Sequence, residues 1–135
     1  MSGPEFVVPA GYGELMRDRR HYSQAVRVGR FLLVAGQGGW TPELVLPESR
    51  EQQLRLAFAN VATVLAAAGS SWEEVVEVTS YHVGLDPGAL DQMVALLRAH
   101  CPHHQPLWTV LGVAALARPE MVVEIAVRAV RAAPD

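Results

Sequence analysis

Two apolar runs fill the last third of the chain, from Gln105 to Arg131, and in the second of them apolar residues recur at every second position. An apolar run at 110–116 is followed by a turn at 117–120 and by a second run at 121–131. Two such runs, joined by a short turn that contains proline, predict a long antiparallel hairpin. The second run places Glu124 and Arg128 among small apolar residues on one face. A buried carboxylate must be paired, hydrogen-bonded or protonated, so Glu124 is the first candidate for chemistry.

A second pair of apolar runs precedes the middle of the chain and predicts a first hairpin. Its strands cover 22–28 and 31–36, and the intervening Gly29-Arg30 fits a two-residue turn. Both strands are apolar on both faces, which predicts a sheet that is covered on each side. The stretch 36–40 (Gly-Gln-Gly-Gly-Trp) then ends the hairpin in a loop.

Helical periodicity occupies the middle of the chain. The first helix is predicted from about Glu48 to Ala68, with Ser49 and Gln52 at capping-box spacing and Gly69 after its end. A strand at 75–83 follows, and Asp86-Pro87 then opens a second helix that runs to about His100. Residues 1–21 are rich in proline and glycine, which predicts an irregular arm.

The predicted order β-β-α-β-α-β-β indicates an α+β fold in a single domain, 1–135. Its mixed sheet would carry two helices on one face. The second face of the sheet would then be apolar and uncovered, so we expect copies of the chain to associate through it in a closed ring. Pockets commonly form at such subunit boundaries.

Composition narrows the function classes. A chain of 135 residues, half of them hydrophobic and 19% charged, is long enough for one globular core. The net charge of −3 gives no reason to expect nucleic-acid binding, and Arg17, Arg19, Arg20 and His21 are interpreted as a solvated segment. No run is long enough for a membrane span or has the flanks of a signal peptide, so we expect a cytoplasmic protein. The single cysteine excludes an internal disulfide.

Three groups of residues are candidate sites. The stretch 100–104 (His-Cys-Pro-His-His) has adjacent histidines and no second ligand pair, so we expect neither a native metal site nor another cofactor. The backbone amides of the loop at Gly36 and Gln37 could hold a carboxylate or an oxyanion, or the segment could be a plain loop. Tyr22, His82, Trp40 and Trp108 lie at predicted strand ends or sheet positions, where aromatic residues more often belong to the core.

The order of these features resembles the Rid/YjgF family of reactive-intermediate deaminases, whose fold is chorismate-mutase-like. The resemblance covers about 22–128. It rests on the opening Tyr22-Ser23-Gln24-Ala25-Val26, on Val34-Ala35-Gly36-Gln37 where Ala35 replaces a common serine, on Gln53, Asn60 and Ala68-Gly69, and on Pro106 with Val123-Glu124-Ile125-Ala126.

The resemblance implies a homotrimer with a cleft for a small molecule between neighbouring subunits. It also implies hydrolysis of imines and enamines to carbonyl compounds and ammonia. Glu124 would position or activate the attacking water, Tyr22 would orient the ligand, and the amide of Gly36 would hold its polar end. Gln37 and Thr109 are further candidates for ligand binding.

Two departures from the family pattern bear on the substrate. An arginine two residues after the proline binds the substrate carboxylate in the deaminases, and here that position is Trp108; a helix asparagine corresponds to Asp91. Arg17 or Arg27 of a neighbouring subunit could replace the lost charge. Trp108 itself predicts an aromatic or less charged ligand stacked on the indole. We therefore expect a non-standard imine or enamine substrate, and the alternative is a trimer that binds a ligand without catalysis.

Overall fold

The computed structural model describes residues 3–132, which form one six-stranded sheet and three α-helices. In chain order the elements are β1 (Glu5–Val7), α1 (Tyr12–Arg20), β2 (Ala25–Val28), β3 (Phe31–Gly38), α2 (Arg50–Ala67), a 3-10 turn (Trp72–Glu74), β4 (Val75–His82), α3 (Pro87–His100), β5 (Leu107–Gly112) and β6 (Val123–Val130). The strand order is β1-β2-β3-β6-β4-β5. The α+β fold with a mixed sheet is therefore confirmed.

The last two strands do not form the hairpin that their sequence predicts. β6 lies antiparallel between β3 and β4, whereas β5 is the edge strand and pairs in parallel with β4. The alternating pattern identifies each strand but not its neighbour. β6 has buried residues at every second position, and a central place gives both of its edges hydrogen-bond partners. The connection at 113–122 must therefore pass the end of β4.

The amino-terminal arm is also more regular than predicted, because it contains β1 and α1. The backbone N–H of Gly11 donates to Oε1 of Glu14 at 3.1 Å, which satisfies one free donor at the helix start. Tyr12, Leu15 and Met16 lie three and four positions apart, so they share one face of α1. The prediction of two helices and an irregular arm was wrong on this point.

The two longer helices begin and end where their capping residues predict. Oγ of Ser49 accepts from the backbone N–H of Gln52 at 3.3 Å, and Gly69 adopts a φ of 74° directly after α2. Oδ1 of Asp86 accepts from the N–H of Ala89 at 2.8 Å, with Pro87 in the first turn of α3.

The hydrophobic core lies between one face of the sheet and the helices α2 and α3. α2 packs on β3 and β6 and contacts α3. Buried side chains from both layers meet there, among them Leu32, Val78 and Ile125 of the sheet with Leu54 and Phe58 of α2. Exposed apolar residues remain elsewhere, notably Phe31 and Leu111 on the strands. No helix within residues 3–132 has the length and apolarity that a membrane crossing requires.

Candidate functional site

A bulge in β3 creates the closest contact of the candidate site. Val34 pairs with Val127 and Gln37 pairs with Ile125, so two residues of β3 oppose one residue of β6. The extra residue brings Gly36 against the side chain of Glu124. A Cβ atom added to Gly36 would lie 2.6 Å from Cδ and 2.7 Å from Oε1 of Glu124, so a side chain at position 36 would displace this carboxyl.

The carboxyl of Glu124 is only partly in contact with water. Its residue is half-buried, and burial raises its pKa above the ordinary value of 4.5. None of the four ion pairs formed within residues 3–132 includes Glu124. A half-desolvated carboxyl without a fixed cation can exchange a proton near neutral pH more readily than an ordinary glutamate.

Glu124 opens into a cavity of about 380 Å³ at the junction of α1 with the loops at 38–46 and 113–122. Aromatic and apolar side chains form most of its wall. The residues that line it are Tyr12, Leu15, Met16, Arg19, Arg20, Tyr22, Trp40, Leu44, Ala117, Arg118, Met121 and Glu124. An apolar wall with a few polar groups is the usual composition of a small-molecule site.

A buried hydrogen-bond network attaches α1 to the floor of this cavity. The hydroxyl of Tyr12 donates to Oε1 of Gln37, and Nε2 of Gln37 donates to Oε1 of Gln24 at 2.7 Å and to the carbonyl of Ala35 at 3.0 Å. Burial, and secondarily the nearby Tyr22, raises the pKa of Tyr12. The hydroxyl of Tyr12 therefore remains protonated and fixed as a donor.

Two side chains of α2 hold the loops around the cavity. Nδ2 of Asn60 donates to the carbonyls of Gly38 and Trp40, at 2.8 and 2.9 Å. Gln53 is buried and bridges the other loops: its Nε2 donates to the carbonyls of Pro47 and Glu120, and its Oε1 accepts from the N–H of residue 122. These bonds fix both loop walls to one rigid helix.

The structure brings together only part of the site that the sequence predicts. Glu124 and Tyr22 line the cavity, and Gly36 lies against Glu124. Gln37 is fully buried and its side chain is engaged with Tyr12, so it acts beneath the cavity.

The other predicted ligand-binding residues do not line this cavity. Trp108 and Thr109 are on β5, and Asp91 is exposed on α3. Trp108 pairs with Val78, a buried residue of the helix-facing side, and it borders a separate cavity of about 490 Å³. Glu124 alternates with the buried Ile125 and thus points to the other side of the sheet. Within one chain Trp108 and Glu124 do not share a cavity.

The indole of Trp108 is anchored by a buried polar chain. Its Nε1–H donates to Oγ of Ser80 at 2.9 Å, and Ser80 contacts Nε2 of His82 at 2.8 Å. Because an indole N–H can only donate, the hydroxyl of Ser80 is free to donate to His82. Burial, and secondarily Arg50, lowers the pKa of His82, which keeps the ring neutral. His82 is thus a satisfied sheet histidine.

The histidine and cysteine stretch after α3 is used for packing. His100 stacks on Phe58 with ring centroids 5.1 Å apart, and Nε2 of His104 contacts the carbonyl of Val75 at 2.7 Å. Cys101 is buried, and burial raises its thiol pKa. Across residues 3–132 there is no group of three or more His, Cys, Asp or Glu side chains that could hold a metal ion.

Of the residues that line the cavity, sequence reasoning predicted only Glu124 and Tyr22 as site residues. It interpreted Arg19 and Arg20 as a solvated segment, and it missed Tyr12, Leu44 and Arg118. Tyr12 lies in the proline- and glycine-rich arm that was predicted to be irregular. The spacing of Tyr12, Leu15 and Met16 nevertheless indicates an amphipathic helix. Leu44 and Arg118 lie in loops, and no local pattern points to either. Nη1 of Arg118 donates to the carbonyl of Leu44 at 2.6 Å, which joins the two loops.

Comparison with known proteins gives one consistent family. The model of the family described as endoribonuclease L-PSP matches residues 15–131. RutC family protein YjgH of Escherichia coli K12 is 34% identical over 122 residues, which cover 90% of this chain and 92% of that protein. A solved structure of a protein named YjgH superposes with a TM-score of 0.80 at 34% identity, covering 98% of this chain and 100% of the other. RidA from the Antarctic bacterium Psychrobacter sp. PAMC 21119 gives a TM-score of 0.74 at 31% identity, covering 81% and 87%.

Proposed function

This chain belongs to the Rid/YjgF family, which the endoribonuclease L-PSP model describes, and from that premise we propose that it hydrolyses an imine or enamine at Glu124. The observation that supports this proposal most is the half-buried carboxyl of Glu124, with its raised pKa, in a cavity of ligand size. A general acid–base residue is most effective when its pKa lies near the working pH.

The proposed reaction needs one water and one proton carrier. The ionised carboxylate of Glu124 accepts a proton from water while the water oxygen forms a bond to the imine carbon. The resulting carboxylic acid gives that proton to the nitrogen, which yields a neutral carbinolamine and restores the carboxylate. Glu124 then carries the hydroxyl proton of the carbinolamine to the nitrogen, so the C=O bond forms as the C–N bond breaks, and a carbonyl compound and ammonia leave. An enamine first takes a proton on carbon and enters the same route as its imine. Tyr22 would orient the ligand, and the N–H of Gly36 would hold its polar end.

We further propose that the working cavity is completed in a homotrimer. Phe31 and Leu111 leave large apolar surfaces on the strands of a single copy, and β5 has an unpaired outer edge. Association would cover these surfaces. It would also allow a neighbouring copy to place Trp108, Thr109 and Asp91 near Glu124, as a platform for the ligand. A cytoplasmic location stays a prediction.

The competing function is ligand binding without turnover. The observation in its favour is Trp108, which stands where the family's deaminases carry an arginine. The word endoribonuclease describes the family model, and we do not propose nuclease activity, because the net charge of −3 gives an RNA backbone no general attraction.

Turnover and binding are separated by the variant Glu124→Gln, which keeps the shape of the side chain and removes its proton chemistry. An amino acid oxidase would generate 2-imino acids in situ, and release of 2-oxo acids above the spontaneous rate would be followed. We expect the wild type to accelerate release and Glu124→Gln to lose about 10²-fold or more of that rate. Glu73→Gln changes an exposed glutamate of the 3-10 turn and should keep full activity. Equal rates for wild type and Glu124→Gln would refute the proposed role of Glu124.

A further inference from the structure

Three guanidinium groups line the cavity beside Glu124, and none of them belongs to the position that the family uses. Arg19 and Arg20 project from the last turn of α1, and Arg118 comes from the loop before β6. Glu124 is the only carboxylate among the lining residues. The wall of this cavity therefore carries an excess of positive charge.

The charges of these arginines are not cancelled within the part of the chain that the structure describes. Its four ion pairs include Arg17 with Asp18, but not Arg19, Arg20 or Arg118. Arg118 is half-buried and donates to the carbonyl of Leu44, which fixes the guanidinium while leaving its charge free. The two arginines proposed as replacements are engaged elsewhere, because Nη2 of Arg27 donates to the carbonyl of residue 68 and Arg17 pairs with its neighbour.

The residue that Arg118 contacts, Leu44, has a strained backbone. Leu44 has a φ of 64°, a left-handed conformation that is unfavourable for a residue with a branched side chain. Its N–H donates to the carbonyl of Thr41 at 2.8 Å, and its carbonyl receives Arg118. Strain of this kind persists where the surroundings impose it, and it is concentrated at ligand sites.

The remaining wall indicates the rest of the ligand. Tyr12 and Trp40 meet edge to face with centroids 6.0 Å apart, and Leu15, Met16 and Met121 add apolar surface. The volume of about 380 Å³ is in the range of pockets that hold drug-sized molecules, and it exceeds the needs of a three-carbon imine.

We propose that the cavity beside Glu124 binds an anion with an aromatic or bulky apolar body, whose anionic group is held by Arg118 together with Arg19 and Arg20. The substrate class would be bulky 2-imino acids, and the products would be the matching 2-oxo acids. This assignment rests on the proposed function for the reaction, but not for the binding. A guanidinium offers a carboxylate two parallel N–H donors, which makes it the side chain best suited to this task.

The probe is phenylpyruvate, an aromatic 2-oxo acid, with its methyl ester as the neutral counterpart, and binding would be measured by titration calorimetry. We expect Arg118→Gln to weaken binding of the acid by roughly 10-fold to 100-fold, since charged hydrogen bonds are lost. Changing Arg19 and Arg20 together to glutamine should weaken it by about 2-fold to 5-fold, because exposed charges are screened. Arg118→Lys should recover part of the affinity, and binding of the ester should change little in any variant.

Arg55→Gln is the matched control, since Arg55 is an exposed arginine paired with Glu51 on α2. It should bind phenylpyruvate like the wild type, and thermal melts would confirm that every variant is folded. The proposal is overturned if the wild type fails to bind the acid at millimolar concentration, or if folded Arg118→Gln binds it as tightly as the wild type does. Arginine-dependent binding without hydrolysis would retain this inference and refute the proposed reaction.

Discussion

Replacing Gly36 by alanine would move the carboxyl of Glu124 without removing it. The added Cβ would lie 2.6 Å from Cδ, 2.7 Å from Oε1 and 2.8 Å from Cγ of Glu124, and these three atoms are its nearest neighbours. All three belong to the outer part of one flexible side chain. The clash can therefore be relieved by rotating that side chain, and the backbone of β3 and β6 can stay in place.

The expected effect on catalysis is large and the effect on stability is small. Ordinary contact needs about 3.4 Å or more, so the carboxyl must move by roughly 1 Å. A displacement of that size from the productive position costs about 10²-fold in rate. A less favourable rotamer costs about 0.5–1.5 kcal/mol. Changing Gly to Ala also lowers the entropy of the unfolded chain, which stabilises the folded state by about 0.4–1 kcal/mol.

The assay combines the 2-oxo acid release described above with thermal melts of three alanine variants. We expect Gly36→Ala to lose about 10²-fold in kcat, with a change in Tm of less than about 5 °C. Gly112→Ala is the neutral control, because its Cβ would meet Leu85 at an ordinary 3.6 Å. Gly39→Ala is the destabilised control, because its Cβ would lie 2.1 Å from the backbone oxygen of Gln53.

Wild-type kcat in a folded Gly36→Ala protein would refute the reasoning, because it would show that the position of the Glu124 carboxyl does not limit the reaction. A Tm as low as that of Gly39→Ala would refute the structural part instead. It would mean that the bulge of β3 cannot accept a methyl group even when Glu124 moves.

Three further predictions concern the same region. The folded state raises the pKa of Glu124 above 4.5, so its protonated form contributes stability that is complete below that value and is lost as the pH rises through the folded pKa. The gain in Tm of Glu124→Gln over wild type should thus be near zero at pH 4 and positive at pH 8; a constant difference would contradict this. Gln53→Leu leaves three backbone groups without partners, so it should lower the free energy of unfolding in urea by about 3 kcal/mol. Gln52→Leu, on the exposed face of α2, should change the same free energy by less than about 0.5 kcal/mol. Tyr12→Phe removes the hydrogen bond to Gln37, so α1 should become more mobile and its amide hydrogens should exchange faster. The KM for a bulky 2-imino acid should then rise several-fold. Unchanged amide exchange in α1 would show that this hydrogen bond does not hold the helix in place.

Local rules determined most of the secondary structure. Ser49 and Asp86 cap their helices as their spacing predicts, because a capping side chain acts on backbone groups only three residues away. Gly69 ends α2 for an equally local reason, its positive φ. The resemblance to the Rid/YjgF family rests on short motifs of the same kind, and the comparisons confirm it.

The sequence also singled out Glu124, because a carboxylate among alternating apolar residues needs an explanation. The surroundings of the Glu124 carboxylate, however, depend on contacts from distant parts of the chain. Gly36 approaches it through a bulge, and Tyr12 and Arg118 join it from an amino-terminal helix and a carboxy-terminal loop. None of these contacts leaves a periodic signal along the chain, since loop residues and single close approaches have no repeat.

What the sequence determined by itself was the strands and helices after residue 21, the family and the carboxylate at the centre of the proposed chemistry. What only the tertiary structure decided was the order of the strands and the walls of the cavity. β6 lies between β3 and β4 because a central place satisfies both of its edges and buries its apolar face, and that choice depends on strands distant along the chain. The same choice separates Trp108 from Glu124 within one chain and leaves α1, with its arginines, beside the carboxyl.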